Sequence, residues 1–536
     1  MPRRAAESVR KETVPRRDAE SVRKENVPRR AAESVRKEIR LGRRRRQEAR
    51  ASTGARAKVL WMHVTATRKL PVLVLAGMVV GSMVGAGVFS LPGTFAGATG
   101  AIGAIVAWAI AGAGMLTLVF VFQRLAVRKP ALDSGIYAYA KAGFGDYVGF
   151  FSAFGYWASG CAGNVTYWVL IGSTIGALFP AFGAGNTVLA VAVSTVGVWG
   201  FFLLIRRGVP QAAFINTIVA VAKVVPLVVF LVIVVAIGFN WDSFTLNLWG
   251  TGSPDVSSLF GQIQQTMLLT VFVFLGVEGA SVYSRYAKNR RDVGRATLLG
   301  FLSVLCLFVL ITVLSFGVAP RAEIGGMREP SVASVLQAIV GPWGYTLISV
   351  GLVVSVLGAY LSWTLMASEV LFTTARNEDA PRFLAAVSKR NVPVAALVLT
   401  TLLVQALLVV TLFSENAFQF MLSLCSSLAL IPYVLTAGYA LKLETRAGDD
   451  PGGRSRRGLT VAIIATVYTL FLIVAAGPGY LLLTFIIYAP GTLLFVAARR
   501  ERGLRVFRPY EAVLCVVAVL LAVAAIVALA AGWITI

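Results

Sequence analysis

From Pro71 to the C-terminus the chain alternates long apolar runs with short polar connectors. Thirteen runs can be marked, at about 71–97, 101–123, 147–179, 187–205, 211–238, 262–284, 296–318, 342–372, 392–413, 416–441, 459–476, 479–498 and 510–534. Each is long enough to cross a hydrocarbon layer of about 30 Å, some with tilt. In lipid a spanning segment must satisfy its own backbone groups, so runs of this kind predict helices. The pattern therefore predicts an all-α polytopic membrane protein of 12–13 transmembrane helices.

The connectors predict its orientation. Arg124, Arg128, Lys129 and Lys141 fall in one loop, Arg206 and Arg207 in the next even-numbered one. Arg285 to Arg295, Arg376 to Arg390, Lys442 to Arg457 and Arg499 to Arg508 follow on the same side, whereas the intervening loops contribute only Arg321 and Arg328. By the positive-inside rule this is a multi-pass protein of the plasma or inner membrane with a cytoplasmic N-terminus. Three segments result: a basic tail over 1–70, a core of twelve transmembrane helices over 71–498, and a cytoplasmic loop with an extra C-terminal helix over 499–536.

Composition agrees with this reading. The 536 residues are 57% hydrophobic and 14% charged, against about 25% charged in an ordinary soluble domain. The formal charge of +25 would suggest nucleic acid if it were gathered on one soluble face, but it is not. Residues 1–70 hold 22 Lys/Arg and 8 Asp/Glu, and 25 of the remaining 28 Lys/Arg sit in the loops that set orientation, so no nucleic-acid partner is expected. The tail repeats a 13-residue unit that places Pro2, Pro15 and Pro28 in register. Proline at that interval and the lack of apolar surface predict disorder. Its run Arg43 to Arg46 suits anionic lipid headgroups. The repeat reads equally well as translated upstream sequence, with Met62 as the start. Cys161, Cys306, Cys425 and Cys515 are isolated, and His63 is the one histidine. Imidazole catalysis, a multi-histidine metal site and a bound cofactor are not expected, nor is an enzyme.

Two spans contain glycine where a simple anchor would have leucine. Gly85-Ala86-Gly87-Val88-Phe89 precedes Leu91-Pro92 in the first run, and Phe274-Leu275-Gly276-Val277-Glu278-Gly279 sits in the sixth. Glycine and proline weaken a helix, and freed backbone groups are tolerated at membrane depth only beside a cavity or within protein. Paired interruptions in corresponding places of two five-helix halves are the expected mark of a transporter with inverted repeats. A break near residues 83–87 would offer amide N–H groups to a carboxylate, and one near Phe272 to Leu275 would offer carbonyls to an ammonium. Together they suit an α-amino acid. Close packing through small residues is the competing reading, and it is preferred for Gly77 and Gly81. Among ionisable residues inside the runs, Glu278 is expected to be functional, whereas Glu369 reads as a snorkelling side chain. Lys223 reads either as a functional charge or as a structural lysine holding first-span carbonyls.

Over about residues 70–500 the chain resembles the amino acid–polyamine–organocation transporters, in particular the basic amino acid/polyamine antiporters. The resemblance rests on the two glycine-interrupted motifs, on Ala287-Lys288-Asn289-Arg290-Arg291-Asp292-Val293, on Tyr156-Trp157 with Gly163-Asn164, and on Ser362-Trp363-Thr364-Leu365. It implies a LeuT-like 5+5 inverted-repeat bundle with broken first and sixth helices. By the same resemblance Met83, Ala86 and Gly87 hold the substrate carboxylate through their backbone, and Phe272 and Leu275 hold the α-amino group. Asn164 and Trp363 receive a guanidinium, the latter by stacking or a cation–π contact. Tyr156 and Tyr433 act as gates, Glu278 as a proton-sensitive carboxylate, and Lys223 supplies a charge where sodium-coupled relatives bind an ion. Three positions depart from the arginine–agmatine exchangers: Ala86 replaces serine, Phe272 tryptophan, and Tyr167 methionine. Backbone recognition survives these changes, but the choice of substrate is opened.

The function this implies is exchange of cationic amino acids by alternating access, arginine inward for ornithine outward. A proton-coupled permease for lysine or another amino acid is the alternative within transport, and a membrane receptor or channel the alternative from another class. A homodimer is compatible with the resemblance.

Overall fold

The computed structural model describes residues 71–129, 132, 135–208, 213–250, 256–278, 290–446 and 455–534. The tail and its repeats lie outside the described residues, as do Gly279 and the motif beginning at Ala287 up to Asn289.

All regular structure among the described residues is helical. The first run is split into α1 (Val72–Met83), a single 3-10 turn (Gly87–Ser90) and α2 (Leu91–Ala98), with an angle of 58° across the break. The chain continues through α3 (Ala101–Arg128), the short α4 (Ile136–Phe144), α5 (Asp146–Gly176), α6 (Val188–Arg206), α7 (Ala213–Ile233) and α8 (Trp241–Leu246). Next come α9 (Val256–Phe274), α10 (Arg290–Ser315), α11 (Arg321–Gly326), α12 (Ser331–Val340) and α13 (Pro342–Arg376). The last elements are α14 (Val394–Val410), α15 (Ala417–Thr445), α16 (Arg456–Glu501) and α17 (Pro509–Ala530).

By length and apolarity nine of the described helices can cross a membrane, or ten when the bent first pair counts as one span. The difference from the 12–13 apolar runs has a local cause in each case. α16 carries two runs as one element, interrupted by Gly477 with φ 74° and ψ 162°. α5 is long enough but rich in Gly, Ser, Thr and Tyr, and the apolar part of α9, Ser258–Phe274, is short because the sixth run stops being α-helical after Phe274. This is a polytopic helical membrane bundle whose first span is broken.

Burial separates the centre of the bundle from its rim. The apolar window of α15 is 83% buried, that of α17 only 22%. α15 packs most extensively on α5 and α16. On α17 the side chains of Val513, Leu514, Val516, Leu520 and Val523 stand exposed, as expected of a helix whose outer face meets lipid rather than water.

An aromatic knot fixes the segments that flank the two interruptions. Trp108 of α3 stacks on Phe95 of α2 at 5.2 Å and meets Phe274, the last residue of α9, edge-on at 6.0 Å. Its indole N–H donates to Thr312 Oγ1 of α10 at 3.2 Å. Such contacts add roughly 0.5–1.5 kcal/mol each beyond burial.

Ionic groups gather at the end of the bundle that carries the basic connectors. Glu444 of α15 accepts from Arg124 Nε at 2.5 Å and Arg128 Nη1 at 2.7 Å. Asp379 accepts from Tyr137 and from Lys141 Nζ at 2.7 Å, and Asp146 from Arg499 Nη2 at 2.6 Å. Glu511 of α17 is 1% exposed and caps two helices at once. Its carboxylate accepts from Arg508 N at the start of its own helix at 2.8 Å, and from Tyr147 N in the first turn of α5 at 3.3 Å. Early amides of a helix lack intrahelical acceptors, so a carboxylate there is doubly favoured.

Candidate functional site

The break in the first span lies at Val84 to Ala86. Val84 N closes the α1 ladder on Val80 O at 2.9 Å, and Phe89 N opens the next turn on Ala86 O at 3.1 Å. The amides of Gly85, Ala86 and Gly87 thus fall between two hydrogen-bonded ladders. Residues that an unbroken helix would have paired internally are set free for a ligand.

The second interruption faces the first. After Phe274 the chain turns, with Leu275 N on Val271 O at 3.1 Å, and Gly276 adopts φ +100°. A Cβ at Gly276 would lie 2.6 Å from Ser82 O of α1, so the position needs glycine for both its dihedral and its close approach. A Cβ at Gly87 would lie 2.6 Å from Val273 Cγ1 and 2.7 Å from Phe272 Cδ1. The two breaks are in direct contact.

Between them is a small, partly open cavity. Met83, Gly85, Gly87, Phe272, Leu275 and Trp363 line it, together with Ser82, Ser159, Gly160, Gly163, Tyr167, Val273 and Cys425. Five of the seven expected substrate-binding residues therefore share one wall system: Met83, Gly87, Phe272, Leu275 and Trp363. Ala86 is buried in the break itself and Asn164 is buried beside the cavity, neither lining it. Asn164 Nδ2 donates to Thr364 Oγ1 at 3.0 Å, while its Oδ1 has no hydrogen-bond partner among the described residues. Thr364 follows Trp363 on α13, so Asn164 ties α5 to the helix that carries the tryptophan.

Sequence reasoning left Ser159 and Cys425 unnoticed as lining residues. Ser159 Oγ donates to Cys425 O at 2.8 Å, joining α5 to α15 behind the cavity. A small hydroxyl or thiol in an apolar run gives no periodic or compositional signal. Tyr167 stands out only as a departure from the related pattern, and its hydroxyl lies 3.5 Å from a Cβ position at Gly85.

Glu278, Tyr156 and Tyr433 form one buried cluster. Tyr156 Oη of α5 and Tyr433 Oη of α15 both donate to the Glu278 carboxylate, the latter at 3.0 Å. Gly276 N donates to both carboxylate oxygens at 3.2 Å. The Tyr156 ring lies 6.4 Å from that of Trp363, linking the cluster to the cavity wall. A carboxylate removed from water needs such donors, since unsatisfied lone pairs at that depth are costly. Lys223 of α7 is buried elsewhere, with Nζ donating to Gly81 O of α1 at 3.0 Å. No group of His, Cys, Asp and Glu suited to a metal ion occurs among the described residues.

Facing helix breaks of opposite polarity around a small cavity can bind a zwitterion, and an aromatic wall can receive a cationic tail. Comparisons with known proteins point the same way. The family model described as "Amino acid permease" matches residues 70–480. The chain is 45% identical over 483 residues to the arginine/ornithine antiporter of Pseudomonas aeruginosa, covering 88% of this chain and 100% of that protein. It is 41% identical over 483 residues to the L-lysine transport protein of Corynebacterium glutamicum, covering 87% and 96%. A putative arginine/ornithine antiporter of Escherichia coli is 40% identical over 440 residues, covering 81% and 93%. The chain belongs to the amino acid permease family of transporters, in the basic amino acid/polyamine antiporter branch of the amino acid–polyamine–organocation superfamily.

Proposed function

We propose that this protein is an arginine/ornithine antiporter working by alternating access. The observation that carries the reading is the contact of the two breaks: free amides at Gly85 to Gly87 and the turn at Phe272 to Leu275 border one cavity closed on another side by Trp363. In this reading the backbone of Met83, Ala86 and Gly87 receives the carboxylate, and the carbonyls of Phe272 and Leu275 receive the α-ammonium. Trp363 covers the cationic side-chain end, and Asn164 lends its open Oδ1 to the guanidinium when α13 shifts. Tyr156 and Tyr433 gate the cavity, Glu278 is the proton-sensitive coupling carboxylate between them, and Lys223 supplies a fixed charge beside the first break where sodium-coupled relatives bind an ion. Arginine and ornithine are both monovalent cations, so one-for-one exchange moves no net charge. The names of the Pseudomonas and Escherichia relatives support this choice of substrates.

The same reading adopts thirteen spans in a 5+5 inverted repeat with an extra last helix, a cytoplasmic N-terminus, and a plasma or inner membrane location. The basic loops support the orientation. A homodimer, and contact of the tail with anionic headgroups, belong to the proposal as well. Counterflow in proteoliposomes tests the function. Internal ornithine should accelerate labelled arginine uptake many-fold over empty vesicles, and equal rates would refute exchange. A proton-coupled lysine permease is the second reading, favoured by the similarity to the Corynebacterium lysine transporter. It requires uptake into empty vesicles driven by an imposed pH gradient.

A further inference from the structure

A second cavity lies away from the breaks, at the end of the bundle that carries the basic connectors. It is an open groove lined by Leu203, Arg206, Arg207, Ser388, Lys389, Arg390 and Val394. Its walls come from the C-terminal turn of α6 and the turn that precedes α14, some 180 residues later.

The turn is rigidly built. Ser388 N donates to Val392 O at 2.9 Å, and Ser388 Oγ accepts from Arg390 N at 3.3 Å and Val392 N at 3.2 Å. Arg390 then crosses to α6, its Nη1 donating to Arg207 O at 2.8 Å. Four cations are thereby held in one groove whose lining contains no carboxylate, and none of the four joins an ion pair among the described residues. The other basic clusters at this end, around Glu444, Asp379 and Asp146, do have internal carboxylates. Charges that only set orientation have no reason to converge. Like charges held together repel, and the counter-charge must come from outside the chain.

The groove's position selects its source. Only 33% of the apolar stretch of α6 is buried, so most of that apolar helix is left uncovered by protein, as on a lipid-facing surface. Leu203 and Leu204 are 49% and 47% exposed one turn above the arginines. An apolar wall leading into a cationic pocket matches a molecule with acyl chains and a phosphate head. We propose that the groove binds one anionic phospholipid, its phosphates held by Arg206, Arg207, Lys389 and Arg390 and its chains along Leu203 and the outer face of α6. Guanidinium forks suit phosphate oxygens geometrically as well as by charge, and basic pockets at this depth favour headgroups with two phosphates.

The test is native mass spectrometry of the full-length protein in mild detergent, titrated with cardiolipin, phosphatidylglycerol or phosphatidylethanolamine. One cardiolipin should be retained most tightly and phosphatidylethanolamine least. The variant R207Q/R390Q should weaken cardiolipin about tenfold or more, whereas R382Q/R500Q, exposed cations at the same end, should not. K389Q, whose side chain donates no hydrogen bond among the described residues, should lower affinity several-fold without touching the turn, and it serves if R390Q folds poorly. Millimolar inorganic phosphate should fail to displace the lipid. Unchanged cardiolipin retention in both R207Q/R390Q and K389Q, equal binding of phosphatidylethanolamine, or displacement by free phosphate would each overturn the proposal.

Discussion

Tyr433 Oη donates to Glu278 at 3.0 Å across the interface of α15 with the second break, and Tyr156 donates to the same carboxylate from α5. Three elements thus share one acceptor. Glutamine at 278 would keep one acceptor oxygen and present an N–H₂ group to the other tyrosine. Mispairing of this kind costs about 1–3 kcal/mol. E278Q is expected to slow arginine/ornithine exchange more than tenfold while changing arginine affinity little, because Glu278 does not line the cavity. Y433F, which removes one donor of the set, should fall between. Wild-type exchange by E278Q in proteoliposomes would remove the Glu278 carboxylate from the transport cycle.

Gly276 tests the contact of the breaks. Alanine there meets a left-handed φ and a Cβ only 2.6 Å from a backbone oxygen that has no rotamer to yield. At least about 2 kcal/mol of strain is expected. G276A should lose arginine binding and lower the thermal midpoint, whereas G326A, where a Cβ meets nothing within 4 Å, should do neither. Equal behaviour of the two would mean that the breaks move apart at no cost.

Trp363 should discriminate among substrates. Replacement by alanine removes the aromatic wall, and a cation–π contact is worth roughly 0.5–2 kcal/mol. W363A is expected to weaken arginine about tenfold in a binding titration and alanine far less. Equal losses would take Trp363 out of side-chain recognition.

Glu444 holds two guanidinium groups while itself 2% exposed. Removing the buried carboxylate leaves Arg128, only 8% exposed, without that partner, a change that typically costs about 3 kcal/mol. E444Q should lower the thermal midpoint clearly more than E369Q, and a midpoint equal to wild type would show the pairing to be energetically idle.

Acid should stabilise one loop. In the connector between α11 and α12, Glu329 accepts from Ser331 N at 2.8 Å, and Ser331 Oγ accepts in turn from Gly93 N of α2 at 2.9 Å. Burial pushes the Glu329 carboxyl up to about 7, against the lowering effect of its bond from Ser331 N. Its folded pKa exceeds the unfolded one of about 4.3, so the native state binds more protons between them. The contribution to stability is full below the unfolded value and is lost as pH rises through about 7. Thermal midpoints of E329Q should lack this decline over pH 4.5–7.5, and parallel profiles would refute the assignment.

Sequence carried the helical membrane bundle, the first break and the family well, for simple reasons. A lipid-crossing helix must be apolar along its whole length, and a broken one must contain residues such as Gly85, Gly87 and Gly276 that a helix tolerates poorly. The short elements α4, α8, α11 and α12 went unmarked because each lies within a connector and is too brief for a periodic signal. Ser159 and Cys425 reach the cavity through the packing of α5 on α15, which hydropathy does not encode. Asn164 shows the converse. Its type suits a guanidinium, yet its amide is engaged by Thr364, a partner 200 residues away that composition does not reveal.

The shared cap at Glu511 gives the last helix a mechanical meaning. α5 presents Tyr156, Ser159, Gly160, Gly163 and Tyr167 towards the substrate region, and its first turn rests on a carboxylate supplied by α17. The peripheral helix is therefore a footing for the wall of the cavity. Cutting the chain before Pro509, or levering on α17 with a bulky fusion, would act at the foot of α5 and be felt at its middle, where it lines the cavity.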